Sequence, residues 1–248
     1  MPSPRGGGKI SAVKLALLSD IHSNLEALEA VLPALPEVER ILVLGDIVGY
    51  GPDPNAVIAR LRALRARAVL GNHDAAMLAP SLLDWFNPHA AAAGRWTRDA
   101  LTPESRRYLA RLPKFGRLGP HRYVHGSPRK PYMWEYILDD LQALEILVRL
   151  GPRLCFFGHT HLPRIFTADG EEVPDPGEWI TLPAAALVNP GSVGQPRDGN
   201  PAAAFAVVDL SRPAVRFERV PYDIASTQAK IRAAGLPEVE AARLALGR

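Results

Sequence analysis

Eight side chains able to bind metal or move protons stand just past short apolar runs of the chain: Asp20 and His22, Asp46, Asn72 and His73, His125, and His159 with His161. Five of the seven histidines belong to this set. Singly, each has an ordinary use, because an Asp after a strand commonly caps a turn or helix and an isolated His commonly completes a buried hydrogen bond. Their joint recurrence needs another explanation. Imidazole and oxygen donors without thiolate suit harder divalent cations, manganese above all, or iron, nickel or zinc, rather than an all-sulfur structural zinc. Seven candidate ligands exceed one tetrahedral ion but would serve two ions that share a carboxylate. A cation pair about 3.5–4 Å apart clamps the attacking and leaving oxygens of a phosphoryl displacement. The residue types therefore predict hydrolysis of a phosphate ester.

Such residues act together only if the fold gathers them. Residues 13–18 read as a strand that ends in Ser19-Asp20, and Leu25, Leu28, Val31 and Leu32 follow at helical spacing. The unit recurs, with a strand over 40–44, a helix over 55–66 and a third strand over 68–70 that ends in Gly71-Asn72-His73-Asp74. Strands near 122–124 and 153–157 also run into histidines, with a helix over 138–150 between them. Parallel strands deliver such ends to one edge of a sheet, where open α/β folds place their sites. The later chain reads as short strands over 179–182, 184–188, 203–209 and 215–220, then a helical end from Asp223. An alternating half followed by a β-rich half predicts an α/β fold of two packed sheets with helices outside. We expect a flexible tail over residues 1–11, a single domain over 12–248, and a small helical insertion at about 79–113. Trp85, Phe86, His89 and Trp96 read as the core of that insertion. If it overhangs the site, an aromatic could stack a nucleobase.

Composition excludes several classes. With 47% hydrophobic and 22% charged residues in 248, the chain is neither disordered nor fibrous. Of the net charge of +3, Arg5 and Lys9 supply two, leaving no basic footprint for long nucleic acid. Arg60, Arg62, Arg65 and Arg67 fall on several sides of one helix and read as its solvated surface. The single cysteine, Cys155, lies in an apolar run and reads as core packing in a reducing compartment. The apolar stretch after the first residues is too short for a secretory signal or a membrane span, so a cytoplasmic location is expected. The oligomeric state is left open.

The ordered motifs Asp20-Ile21-His22, Gly45-Asp46, Gly71-Asn72-His73-Asp74, His125-Gly126 and Gly158-His159-Thr160-His161 resemble all five of the calcineurin-like metallophosphoesterases. Ser23 to Leu28 and Val48-Gly49-Tyr50-Gly51-Pro52 are similar to the bacterial phosphodiesterase-like branch. The resemblance implies a four-layer α/β/β/α sandwich of two mixed sheets. It also implies that Asp20, His22 and His161 hold one metal, that Asn72, His125 and His159 hold a second, and that Asp46 bridges them. A hydroxide between the ions would attack phosphorus. His73 would be catalytic rather than a ligand, protonating the leaving oxygen, a role suited to an imidazole of near-neutral pKa. Asp74 would either orient His73 or cap the next helix. Asn24 and Tyr50 follow ligands and would line the cleft.

One departure bears on substrate. Protein Ser/Thr phosphatases of the family carry Gly-Asp-x-Val-Asp-Arg-Gly, whose Arg contacts phosphate, whereas Gly45-Asp46-Ile47-Val48-Gly49-Tyr50-Gly51 lacks that Asp and Arg. A monoester has one more ionisable oxygen to lose that partner, which tilts the expectation toward diesters. Arg197, past Gly191-Ser192-Val193-Gly194, could replace the contact, although a solvated turn residue is the simpler reading. The expected protein is thus a dinuclear phosphodiesterase for small or cyclic nucleotides. The alternatives are a broad phosphomonoesterase, a dinucleoside polyphosphate hydrolase, or a non-catalytic scaffold.

Overall fold

Strand β1 (Lys14–Leu18) is buried along Leu15 to Leu18, and the two-residue period of a strand divides its side chains between two cores. Leu15 and Leu17 enter a core shared with a second sheet, while Ala16 and Leu18 pack under helices. The protein is a computed structural model that describes residues 13–248. The flexible tail expected over 1–11 lies outside the described residues.

Among the described residues the strands form two six-stranded sheets. In the first, β1 pairs in parallel with β2 (Arg40–Val43), which pairs in parallel with β3 (Arg67–Ala68). On its other side β1 pairs antiparallel with β11 (Ala203–Asp209), followed by β12 (Ala214–Val220) and β9 (Trp179–Thr181). In the second, β5 (His121–Val124), β6 (Leu154–Phe156) and β10 (Ala186–Pro190) are parallel neighbours. Antiparallel β4 (Phe115–Leu118) flanks β5, and β7 (Pro163–Thr167) and β8 (Gly170–Glu172) flank β10.

Leu17, Leu42, Val208 and Phe217 of the first sheet meet Phe156, Ile165 and Val188 of the second. The outer face of the first sheet, including Val43 and Phe205, is covered by α1 (Leu25–Ala34) and α2 (Pro54–Ala63). The outer face of the second, through Cys155, Phe157 and Leu187, is covered by α6 (Asp140–Leu150). Cys155 is core, as expected, and burial pushes its thiol up to about 12. The expected four-layer α/β/β/α sandwich is the observed fold. No helix among the described residues is long and apolar enough to cross a membrane.

Three strands were absent from the sequence reading. β4 and β8 are edge strands, one interrupted by Gly116 and the other reading Gly-Glu-Glu, while β7 begins at Pro163, so none alternates clearly. The expected third strand shortens to two residues. Helix begins inside the third motif, with α3 (Asn72–Leu78) and a 3-10 turn (Pro80–Trp85) before α4 (Pro88–Ala100) and α5 (Pro103–Leu109). Within this segment Trp85 is 88% exposed and His89 is exposed, which corrects their assignment to a core. Leu83, Ala90 and Ala93 are the buried residues instead, because α4 turns an alanine-rich face inward. Phe86 and Trp96 are half-buried.

Phe205 is fully buried on the central strand β11. Phe205→Ala is expected to lower unfolding free energy by about 3–5 kcal/mol, read as a lower denaturant midpoint at constant slope.

Candidate metal centre

The parallel strands β1, β2, β3, β5 and β6 each run into one of the five motifs, as carboxyl ends of parallel strands commonly do. Backbone bonds then tie these loops together. Asp20 N donates to Gly45 O, His22 N to Asp46 O, Gly158 N to His125 O, and Gly194 N to Asp20 O, all within 2.8–3.1 Å. Asp20, His22, Asp46, His159 and His161 all have left-handed backbones, with φ between 47° and 72°. Each such non-glycine residue costs of order 1 kcal/mol, so the surrounding bonds must hold it in place. Gly71 makes a close approach that no side chain could share: a Cβ there would stand 2.0 Å from Asp46 Oδ1.

The seven expected ligands converge. Asp20, His22 and His161 present ligand atoms within 4.8 Å of one another, as do Asp46, His125 and His159. Asn72 joins the second group, its Oδ1 lying 3.1 Å from His125 Nε2. Asp46 Oδ2 lies between the groups, 3.7 Å from His22 Nε2 and 3.2 Å from His125 Nε2. His73 shares a third set with His22 and Asp46, and its backbone N donates to Asp46 Oδ1.

Each of three imidazoles is oriented by a backbone carbonyl. His22 Nδ1 donates to Val48 O, His125 Nδ1 to Leu44 O and His161 Nδ1 to Gln195 O, at 3.2, 2.8 and 2.6 Å. Their neutral forms therefore carry an Nε2 lone pair, and these face inward. His22 Nε2 and His161 Nε2 lie 3.1 Å apart, where two lone pairs cannot satisfy each other.

The remaining candidates separate. Tyr50 is buried between the rings of His22 and His73, with centroids 4.6 and 4.5 Å away. Arg197 is half-buried rather than solvated: its guanidinium lies 5.8 Å over the Tyr50 ring and donates to Gln195 Oε1. Asp74 takes the capping alternative, its carboxylate accepting from Gly71 N and Val48 N at 3.0 and 3.1 Å. Consequently His73 Nδ1 is buried with no hydrogen-bond partner among the described residues, facing Gly49. Asn24 does not line the open cleft. It is buried, its Oδ1 accepting from Ala27 N to cap α1 and its Nδ2 donating to Gly194 O. Arg60 and Arg62 pair with Glu29 and Glu104 on the surface.

Two groups escaped the sequence reading. Tyr136 stacks on His159 with centroids 3.9 Å apart and planes 15° apart, and the aromatic run around Trp134 was the available signal. Glu240, buried in α8 (Glu238–Ala242), which follows α7 (Ile224–Ala233), accepts from the side chain of Gln195, whose carbonyl orients His161. Nothing in its local sequence marks it.

The model of the calcineurin-like phosphoesterase superfamily domain matches residues 13–212. A metallophosphoesterase crystal structure from Sphaerobacter thermophilus is similar at 43% identity and TM-score 0.85, covering 96% of this chain and all of that one. An uncharacterized protein of Methanocaldococcus jannaschii is 37% identical over 94% of this chain and 98% of its own. The phosphodiesterase YfcE of Escherichia coli is 28% identical over 77% of this chain and 84% of its own.

The donor set fits a pair of divalent cations. Asp20 Oδ1 is buried without a hydrogen-bond partner among the described residues, and the inward Nε2 atoms lack protons to share. Burial holds the imidazoles of His22, His159 and His161 well below their usual pKa, so they stand ready as neutral donors. Burial also lowers His73, to about 4, which replaces the near-neutral value expected for it. His125 differs: burial pulls it down, but the carboxylates of Asp46 and Asp20 outweigh this and raise it to about 9. A ligand imidazole must be deprotonated. Cation loading near pH 7 is therefore expected to release protons, with His125 among their sources. Calorimetry in buffers of different ionisation enthalpy checks this, and buffer-independent heats would remove the assignment.

Proposed function

The chain belongs to the calcineurin-like phosphoesterase superfamily, and on that premise we propose that it is a dinuclear phosphodiesterase for small nucleotide-type diesters. The family hydrolyses phosphoesters with divalent metals. The observation that carries the finer reading is the pair of buried ligand sets joined by one carboxylate, Asp46. Asp20, His22 and His161 would hold one cation, Asn72, His125 and His159 the other, and Asp46 both. Bound cations, manganese foremost, supply Lewis acidity toward phosphoryl oxygens and acidify water at neutral pH.

The chain's own groups supply the rest. His73, neutral at physiological pH, turns Nδ1 toward Gly49 and so leaves Nε2 for the cleft it lines, where its Nε2–H tautomer is a donor. That N–H donates to an ester oxygen, and the bond strengthens as negative charge grows there, which is stabilisation specific to the transition state. Tyr50 and Phe86 hold the ring from two sides, at 4.5 and 4.6 Å.

Diesters are favoured because Gly49 and Tyr50 occupy the positions where phosphatase relatives carry Asp and Arg, so a neutral phenol ring packs against His22 and His73. One observation favours a second reading, a phosphomonoesterase: Arg197 brings a guanidinium from another loop to within 5.8 Å of the Tyr50 ring centroid. Such a cation partners the extra monoester charge.

Hydrolysis of bis(p-nitrophenyl) phosphate is expected to require Mn²⁺ and to stop with chelator. Asp46→Ala should lose both cations and activity, while His73→Ala should keep cations and lose about 10²–10⁴-fold in kcat. Full activity in either variant rejects the role given. Arg197→Ala should lower kcat/KM on a monoester more than on a diester, and the reverse ranking would exclude the phosphatase reading. A dinucleoside tetraphosphate in the same panel tests the polyphosphate alternative.

A further inference from the structure

We propose that the aromatic cleft beside the metal centre is a nucleobase subsite, so that the non-reacting group of the substrate is a nucleoside. The proposal rests on the phosphoesterase reading of the same site and assigns the residues that would hold the nucleoside part of its substrate. The cleft encloses about 550 Å³, within the range that holds one nucleotide-sized ligand. Its floor is part of the site already described, since Asn72, His73 and His159 line it. A phosphoester placed at those residues must therefore project its remaining group between the walls.

The walls come from two segments distant in sequence. One is the 3-10 turn and the residue after it, with Trp85 and Phe86, and the other is the loop carrying Tyr132, Met133, Trp134 and Tyr136. Trp85, Tyr132, Met133 and Tyr136 are 88%, 55%, 58% and 48% exposed. Four large apolar side chains gathered around one opening mark a binding surface rather than chance exposure. Aromatic side chains dominate the lining, and they favour a planar occupant over an aliphatic one, because stacking rewards flat π-systems of any base. Tyr136, already parallel to His159, shows that rings stack face to face at this floor.

Among the described residues no Lys, Arg, Asp or Glu lines the cleft itself. The nearest cations, Lys114 at the Tyr132 ring and Arg197 at the Tyr50 ring, stand behind the aromatic side chains, which suits an uncharged base. The loop wall is anchored. Trp134 donates from Nε1 to Leu70 O, just before the third motif, and has a left-handed backbone with φ 49°. The other wall is tied through Phe86, whose ring packs 4.6 Å from that of His73, so both are held relative to the reacting centre, as selection by shape requires.

The test compares the methyl diester of adenosine 5′-phosphate with glycerophosphocholine, using the full chain loaded with Mn²⁺ and following both by ³¹P NMR. In Trp85→Ala and Tyr132→Ala, the preference in kcat/KM for the adenosine diester should fall at least about five-fold, carried by KM. Trp85 is almost wholly exposed, so its loss does not threaten folding. Calorimetric binding of adenosine, which has no phosphate, should weaken at least about five-fold in the same variants. An unchanged preference with unchanged adenosine binding, or a larger loss on glycerophosphocholine, overturns the subsite. If neither diester is turned over yet adenosine binding still falls in Trp85→Ala, the phosphodiesterase reading fails while the subsite stands.

Discussion

The arrangement turns on the carboxylate of Asp46, which sits almost without water between imidazoles from both sheets. Burial alone would raise its pKa, but His125 and His73 reverse this and hold it well below the usual range. The price appears at His125, which is drawn up to about 9. A buried charge of this kind persists only if paired. Asp46 therefore ties the loop after β2 to the loops after β3 and β5, and the two sheets share one electrostatic seam at their rim.

Holding that seam requires backbone that chains avoid. The left-handed residues cluster at the site, and the loops that contain them brace one another by main-chain bonds while Ile21, Ile47, Val48 and Val193 anchor them in the core beneath. Asn24 and Asp74 serve this bracing. Neither touches the cleft chemistry, yet each satisfies backbone donors at a helix start beside a candidate ligand. The sandwich beneath is rigid, and that rigidity lets strain survive at its edge.

Much of this was legible in the residues. Strands β1, β2, β5 and β6 end in polar groups that packing does not explain, and all seven expected ligands meet. What failed was local and has local causes. β4 and β8 lie at sheet edges, where alternation is not enforced, and the exposure of Trp85 follows from a 3-10 turn that no periodic pattern announces. Asn24, two residues past His22, is taken up by capping α1 and bonding Gly194 O, partners that only the folded backbone supplies. Glu240 was invisible since its partner, Gln195, is 45 positions away and only the tertiary fold joins them.

Strand β11 has a temporal consequence. It lies in the middle of the first sheet, pairing Asp209 with Lys14 and Asp209 with Ala214, although it follows the motifs in the chain. Until it docks, β1 has an open edge and the loop of Asp20 lacks the bracing that the segment just before β11 supplies. Contacts so remote along the chain form slowly and leave unpaired edges meanwhile. A ribosome-bound fragment can thus carry most of the motifs and still have no organised centre, so competence arrives late and nearly all at once.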